Sequence, residues 1–147
     1  MKIALKYGLL ITLGVIVWAI VAHLVVPDPR SQVHGLGAPV FFNLLEIVGI
    51  YLGIKASAND RDGFRFKTDV KTGVAIAFVY AVSSSLFFMI AILSFGSGWM
   101  AGESGASHRP VWQQALGAFT GLLLGGVLLG LIYSTIISFF FARLRRN

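Results

Sequence analysis

Four long apolar stretches separated by short polar ones constrain this chain more than any motif it contains. A bilayer core about 30 Å thick is crossed by about 20 apolar residues of helix. Spans are expected at about residues 7–26, 39–54, 72–95 and 111–141. The first stops at Pro27-Asp28-Pro29, since proline cannot continue a helix. The second opens on Pro39, a residue suited to a first turn, and ends at Lys55. A Gly-Ser-Gly segment closes the third, and the fourth follows Pro110. The fourth exceeds one bilayer thickness, so it should tilt or emerge. No stretch alternates with period two, which argues against an outer-membrane barrel. The expected fold class is all-α: an integral membrane four-helix bundle in a single domain, 1–147.

Composition supports this. The chain is 56% hydrophobic and only 12% charged, whereas soluble domains carry about 25% charge. Lys2 and Lys6 ahead of the first stretch, with Ala19 and Ala22 near its end, also fit a signal peptide. The apolar run is longer than the usual 7–15 residues of a signal core, so an uncleaved span is preferred. With no cysteine, thiol catalysis, disulfides and thiolate metal sites are excluded.

The net charge of +6 is not read as a nucleic-acid surface, because the basic residues gather between the apolar blocks. Lys2, Lys6, Lys55, Arg61, Arg65, Lys67, Lys71, Arg143, Arg145 and Arg146 fall on one side, and only Arg30 and Arg109 on the other. By the positive-inside rule, both termini and the loop 55–71 are expected in the cytoplasm, with Trp99 and Trp112 at the opposite interface. In the loop, Phe64-Arg65-Phe66-Lys67 interleaves aromatics and cations. Stacking on bases is one use of such a pattern. Beside a membrane, Arg65, Lys67, Lys71, Arg143, Arg145 and Arg146 are instead expected to meet lipid headgroups.

Lipid tails are as apolar as leucine, so helices associate through close backbone approach and polar contacts. Gly117, Gly121 and Gly125 recur every four residues in the fourth span, beside a second series of Gly126, Gly130, Ser134 and Ser138. Gly49 and Gly53 repeat the spacing in the second span. These faces are expected to pack within the bundle, and a fourth-span face has room for another subunit as well.

Glu46 is the only acid inside a span. An ionised carboxylate in hydrocarbon is costly, so it should face the bundle, pair or be protonated. Asn43 lies three residues before it on one helix face. With His23 of the first span and Gln114 of the fourth, these residues form a candidate polar cluster in the outer half of the bundle. One use is a proton- or cation-responsive site or a solute pocket; the other is a hydrogen-bond network joining helices, with Asn43 satisfying a neutral Glu46. Ser83, Ser84 and Ser85 are expected to bond back to their own helix. Asp60 and Asp62 match a calcium loop only faintly. Metal binding by His34, His108, Asp28 and Glu103 of the outer loops is not expected. There is no phosphate loop, zinc-protease helix or nucleophile elbow, so neither enzymatic activity nor a cofactor is expected.

The run Gly49-Ile50-Tyr51-Leu52-Gly53-Ile54-Lys55, the charged stretch to Gly63-Phe64-Arg65-Phe66, and Asp69-Val70-Lys71-Thr72-Gly73-Val74-Ala75-Ile76-Ala77 resemble a bacterial family of small four-span membrane proteins classed as a domain of unknown function. The opening Ala4-Leu5-Lys6-Tyr7-Gly8-Leu9 is similar too. This resemblance implies a bacterial cytoplasmic (inner) membrane location, and no activity, cofactor or catalytic residue. The favoured expectation is a structural or interaction component that associates with itself or with a larger membrane complex. The alternative is an oligomer translocating protons, ions or small solutes through Glu46.

Overall fold

The computed structural model describes residues 2–26, 33–61, 63–96 and 110–144. Four helices hold nearly all of them: α1 (Lys2–Val25), α2 (Ala38–Asn59), α3 (Phe66–Phe95) and α4 (Val111–Leu144). A short π-helical segment, Val33–Gly37, leads into α2. All four are long and apolar enough to cross a membrane, and no strand occurs among the described residues. The chain is a multi-pass membrane protein with an all-α, four-helix bundle.

The helices outrun the apolar stretches that mark them. α2 continues past Lys55 to Asn59, and α3 begins at Phe66 rather than near residue 72. Hydropathy locates the part of a helix that lies in hydrocarbon, and polar residues continue the same helix into the interface. The turn between them closes at Gly63, whose φ of 143° suits glycine. α4 has 34 residues, about 50 Å at the helical rise, and so is longer than the hydrocarbon core.

α3 is the central helix. Its span is 50% buried, against 11% for α4. It packs on all three other helices, and α4 rests mainly on α3, with a smaller contact to α2. α1 packs on α2 and α3, and no packed interface joins it to α4. The core is formed by Ile11 and Val15 of α1, Ile50 and Ile54 of α2, and Ile76, Ala77, Tyr80 and Phe88 of α3. Phe64 and Tyr51 both stack on Phe141 at the end that carries the termini, and Trp18 stacks on Phe41 toward the other.

The two glycine faces of α4 meet different surroundings. A methyl at Gly126 would touch the Ala81 methyl at 3.0 Å, and one at Gly130 would overlap Ala77. Ser134 and Ser138 continue that buried face. Around Gly117, Gly121 and Gly125, by contrast, there is open space. In α2, Gly49 admits the side chain of Ile11 and Gly53 that of Ile76.

A compact ion pair ties α2 to α3 at the end with the termini. Arg61 Nη2 donates to Asp69 Oδ1 at 2.7 Å and to Ser57 Oγ at 3.1 Å, while Nε donates to the Ser57 carbonyl. The other carboxylate oxygen of Asp69 accepts the Arg65 backbone N–H at 2.7 Å, satisfying an otherwise open donor at the helix start. Arg65, Lys67, Lys71 and Arg143 are exposed around this end. Arg145, Arg146, Asp62, Trp99 and the outer-loop residues Asp28, Glu103 and His108 lie outside the described residues, as does the side chain of His34.

Candidate functional site

A cavity of about 320 Å³ occupies the gap that α1 and α4 leave between them. Each helix contributes to its wall: Trp18, Ala22 and His23 from α1; Phe42, Asn43 and Glu46 from α2; Tyr80, Ser84 and Phe88 from α3; and Gly121, Gly125 and Gly126 from α4. The small residues of α4 create the space, since larger side chains there would fill it. The cavity is open to the surface, and His23, Pro39, Gly121 and Leu129 of its lining are exposed.

Glu46 forms the polar floor. It is 2% exposed, and its Oε1 is buried with no hydrogen-bond partner among the described residues. That oxygen lies 3.0 Å from where a Gly130 Cβ would sit, so the absent side chain makes room for the carboxyl group. Tyr80 and Tyr133 lie within electrostatic reach of the carboxylate. Trp18 Nε1 is a second buried polar atom without a partner among the described residues. Buried polar groups are nearly always satisfied, so an unpaired atom on a cavity wall marks a place where a polar ligand can bond.

The expected cluster is assembled only in part. His23, Asn43 and Glu46 all line the cavity, with His23 at its rim. Gln114 does not line it: it stands seven residues before Gly121, about 10 Å farther along α4 at the helical rise. Nor does Asn43 serve Glu46. Its amide nitrogen donates to the Pro39 carbonyl at 2.7 Å, and its oxygen accepts the Tyr133 hydroxyl at 2.6 Å. Asn43 thus links α2 to α4 by a hydrogen bond and makes none to Glu46.

Ser83 and Ser84 do bond back to their own helix, at Val79 and Tyr80. Ser83 also meets Thr12 of α1 at 2.6 Å, and Ser85 Oγ is buried without a partner among the described residues. Trp18, Tyr80, Ser84 and Phe88 are wall residues that sequence reasoning missed. Only the serine run was singled out, and aromatic residues in an apolar span carry no mark that separates a cavity wall from core. No cluster of three or more metal-ligating side chains occurs among the described residues. Comparison with protein-family models, curated proteins and solved structures finds no match to this chain.

Proposed function

We propose that this chain is a bacterial inner-membrane protein that binds a small solute in the cavity between its helices, with Glu46 as the recognition group. The single observation that carries the reading is a buried acid with an unsatisfied oxygen at the floor of a cavity that reaches the surface. Membrane ligand sites are built this way: an ionisable residue facing a cavity inside the bundle, not lipid. Both termini and the loop 55–71 lie in the cytoplasm on this reading, which places the cavity in the outer half of the bilayer. The distribution of Lys and Arg supports that orientation. Arg65, Lys67, Lys71 and Arg143 then meet the anionic headgroups of the inner leaflet.

The test is binding to the purified protein in mild detergent of three probes that share one body: 2-phenylethanol, phenethylammonium and 3-phenylpropionate. At least one should bind saturably. Gly125→Trp should reduce that binding about tenfold or more, because its ring has open space to enter from a position on the cavity wall. If none of the three binds, or if Gly125→Trp leaves binding unchanged, the cavity is not a solute site.

A second reading, association with another subunit or a larger complex, draws support from Gly117. Nothing approaches this exposed residue, and it is not part of the cavity wall. Gly-x-x-x-Gly faces let helices approach closely. On this reading the native protein runs as an oligomer in mild detergent and Gly117→Leu shifts it to monomer. An unchanged size on a sizing column would rule out this face as the interface.

A further inference from the structure

We infer that the cavity selects a protonated organic amine: a small ammonium head on an apolar, preferably aromatic, body. This inference rests on the solute-binding reading and adds the charge and shape of the ligand. Its starting point is the mismatch between floor and walls. The floor is a carboxyl group, an acceptor when ionised, and its Oε1 has no donor among the described residues. Asn43, three residues away along the helix, turns its amide to Pro39 and its oxygen to Tyr133. No lysine or arginine lines the cavity, and His23 lies at the rim, not the floor. A cationic ligand that reaches the floor therefore supplies the counter-charge that no resident lysine or arginine provides, and holds the carboxyl group in its ionised form.

The walls favour the same class. Trp18, Phe42, Tyr80 and Phe88 surround the space with aromatic rings. Ring faces attract organic cations, and more so in a desolvated site. An ammonium N–H donated to the Glu46 carboxylate is a charge-assisted hydrogen bond, stronger than its neutral counterpart. The terminal torsion of a glutamate is broad, so the carboxyl group can turn either oxygen toward the ligand. A metal cation or hydrated inorganic ion fits less well, because it needs several oxygen ligands, whereas these walls are mostly apolar. An organic anion would be repelled by the floor. A neutral ligand could fill the walls, and donate one hydrogen bond through a hydroxyl, but it would bring no counter-charge to the carboxyl group. An open cavity walled by membrane-spanning helices suits a ligand that partitions into the membrane before it binds.

The experiment compares the three probes by charge on the native protein in mild detergent, with empty micelles as the blank. Phenethylammonium should bind about tenfold or more tightly than 2-phenylethanol, the size of one charge-assisted hydrogen bond, and 3-phenylpropionate weakest. In Glu46→Gln the preference for the cation over the alcohol should fall to about twofold or less, while the alcohol binds as before. Equal binding of all three, still abolished by Gly125→Trp, would overturn the charge inference and leave the cavity reading intact. Binding of none would end both. Should Glu46→Gln not fold, the charge series on the native protein still decides, since a preference for the alcohol or the anion refutes the inference. A preference for the cation that survives in a folded Glu46→Gln also overturns it.

Discussion

Gly130→Ala will destabilise the bundle by about 1–3 kcal/mol, the cost of forcing one extra methyl into a closed contact. Gly117→Ala, one methyl added to the same helix, will instead hold or raise stability, by up to about 1 kcal/mol, because alanine suits a helix interior better than glycine. The contrast follows from what each methyl meets. At Gly130 it overlaps the Ala77 methyl, which has no torsion that moves it aside, and it comes within 3.0 Å of Glu46 Oε1. α4 must therefore lift from α3, and the carboxyl group must give way as well. At Gly117 there is nothing within 4 Å. The α3–α4 contact is the largest in the bundle, so a local separation there spreads along both helices. The measurement is the unfolding midpoint in a detergent-denaturant titration, with far-ultraviolet dichroism as the signal. Ala77→Gly combined with Gly130→Ala should recover much of the loss, because it removes the opposing methyl. Equal stability of native protein and Gly130→Ala would mean that α3 and α4 do not approach as closely as described.

The same pair of glycines shows how far the sequence could be read. Spacing alone identified two adjacent small-residue faces on α4, yet it could not say which one was closed. That depends on Ala77 and Ala81 of α3, whose small side chains oppose Gly130 and Gly126. The spans themselves were legible because the cost of placing polar groups in hydrocarbon writes itself into composition. Glu46 was legible for the same reason, as a single acid in an apolar run. Its neighbours were not. Asn43 and Tyr133 are separated by 90 residues, and no local pattern announces their bond, so Asn43 looked like a partner for Glu46 three residues away. Gln114 looked close to the cluster because its residue type fitted, but the rise along α4 puts it beyond the cavity. Arg61 was counted as one more positive charge in a cytoplasmic loop. A better signal was present in Asp69, an acid four residues after Arg65 at the start of a helix, where it can reach back to a free N–H.

Asp69→Ala will cost about 3 kcal/mol, the lower end of the range for breaking a buried pair from one side. The low end applies because the Asp69 side chain is 1% exposed but that of Arg61 is 27%, so water can soften the loss of the guanidinium's partner. Two bonds vanish together: the one from Arg61 Nη2 and the one from the Arg65 N–H. Asp69→Asn should fall between native and alanine. Its amide keeps one acceptor oxygen, but its nitrogen must then face either Arg61 or the Arg65 N–H, donor against donor. A cycle of Arg61→Ala, Asp69→Ala and the double variant should return a coupling of about 1–3 kcal/mol. Hydrogen exchange at the Arg65 amide should rise in Asp69→Ala and stay slow in Arg61→Ala, because only the first change removes its acceptor. Zero coupling, or an Arg65 amide indifferent to Asp69, would show that the pair is incidental. If the coupling is found, its consequence extends beyond stability. Asp69 holds the end of α2 against the start of α3, and those two helices carry Glu46 and Tyr80. Releasing that end frees α2 to slide or turn against α3, so Asp69→Ala should weaken ligand binding at the cavity even though Asp69 lines no part of it.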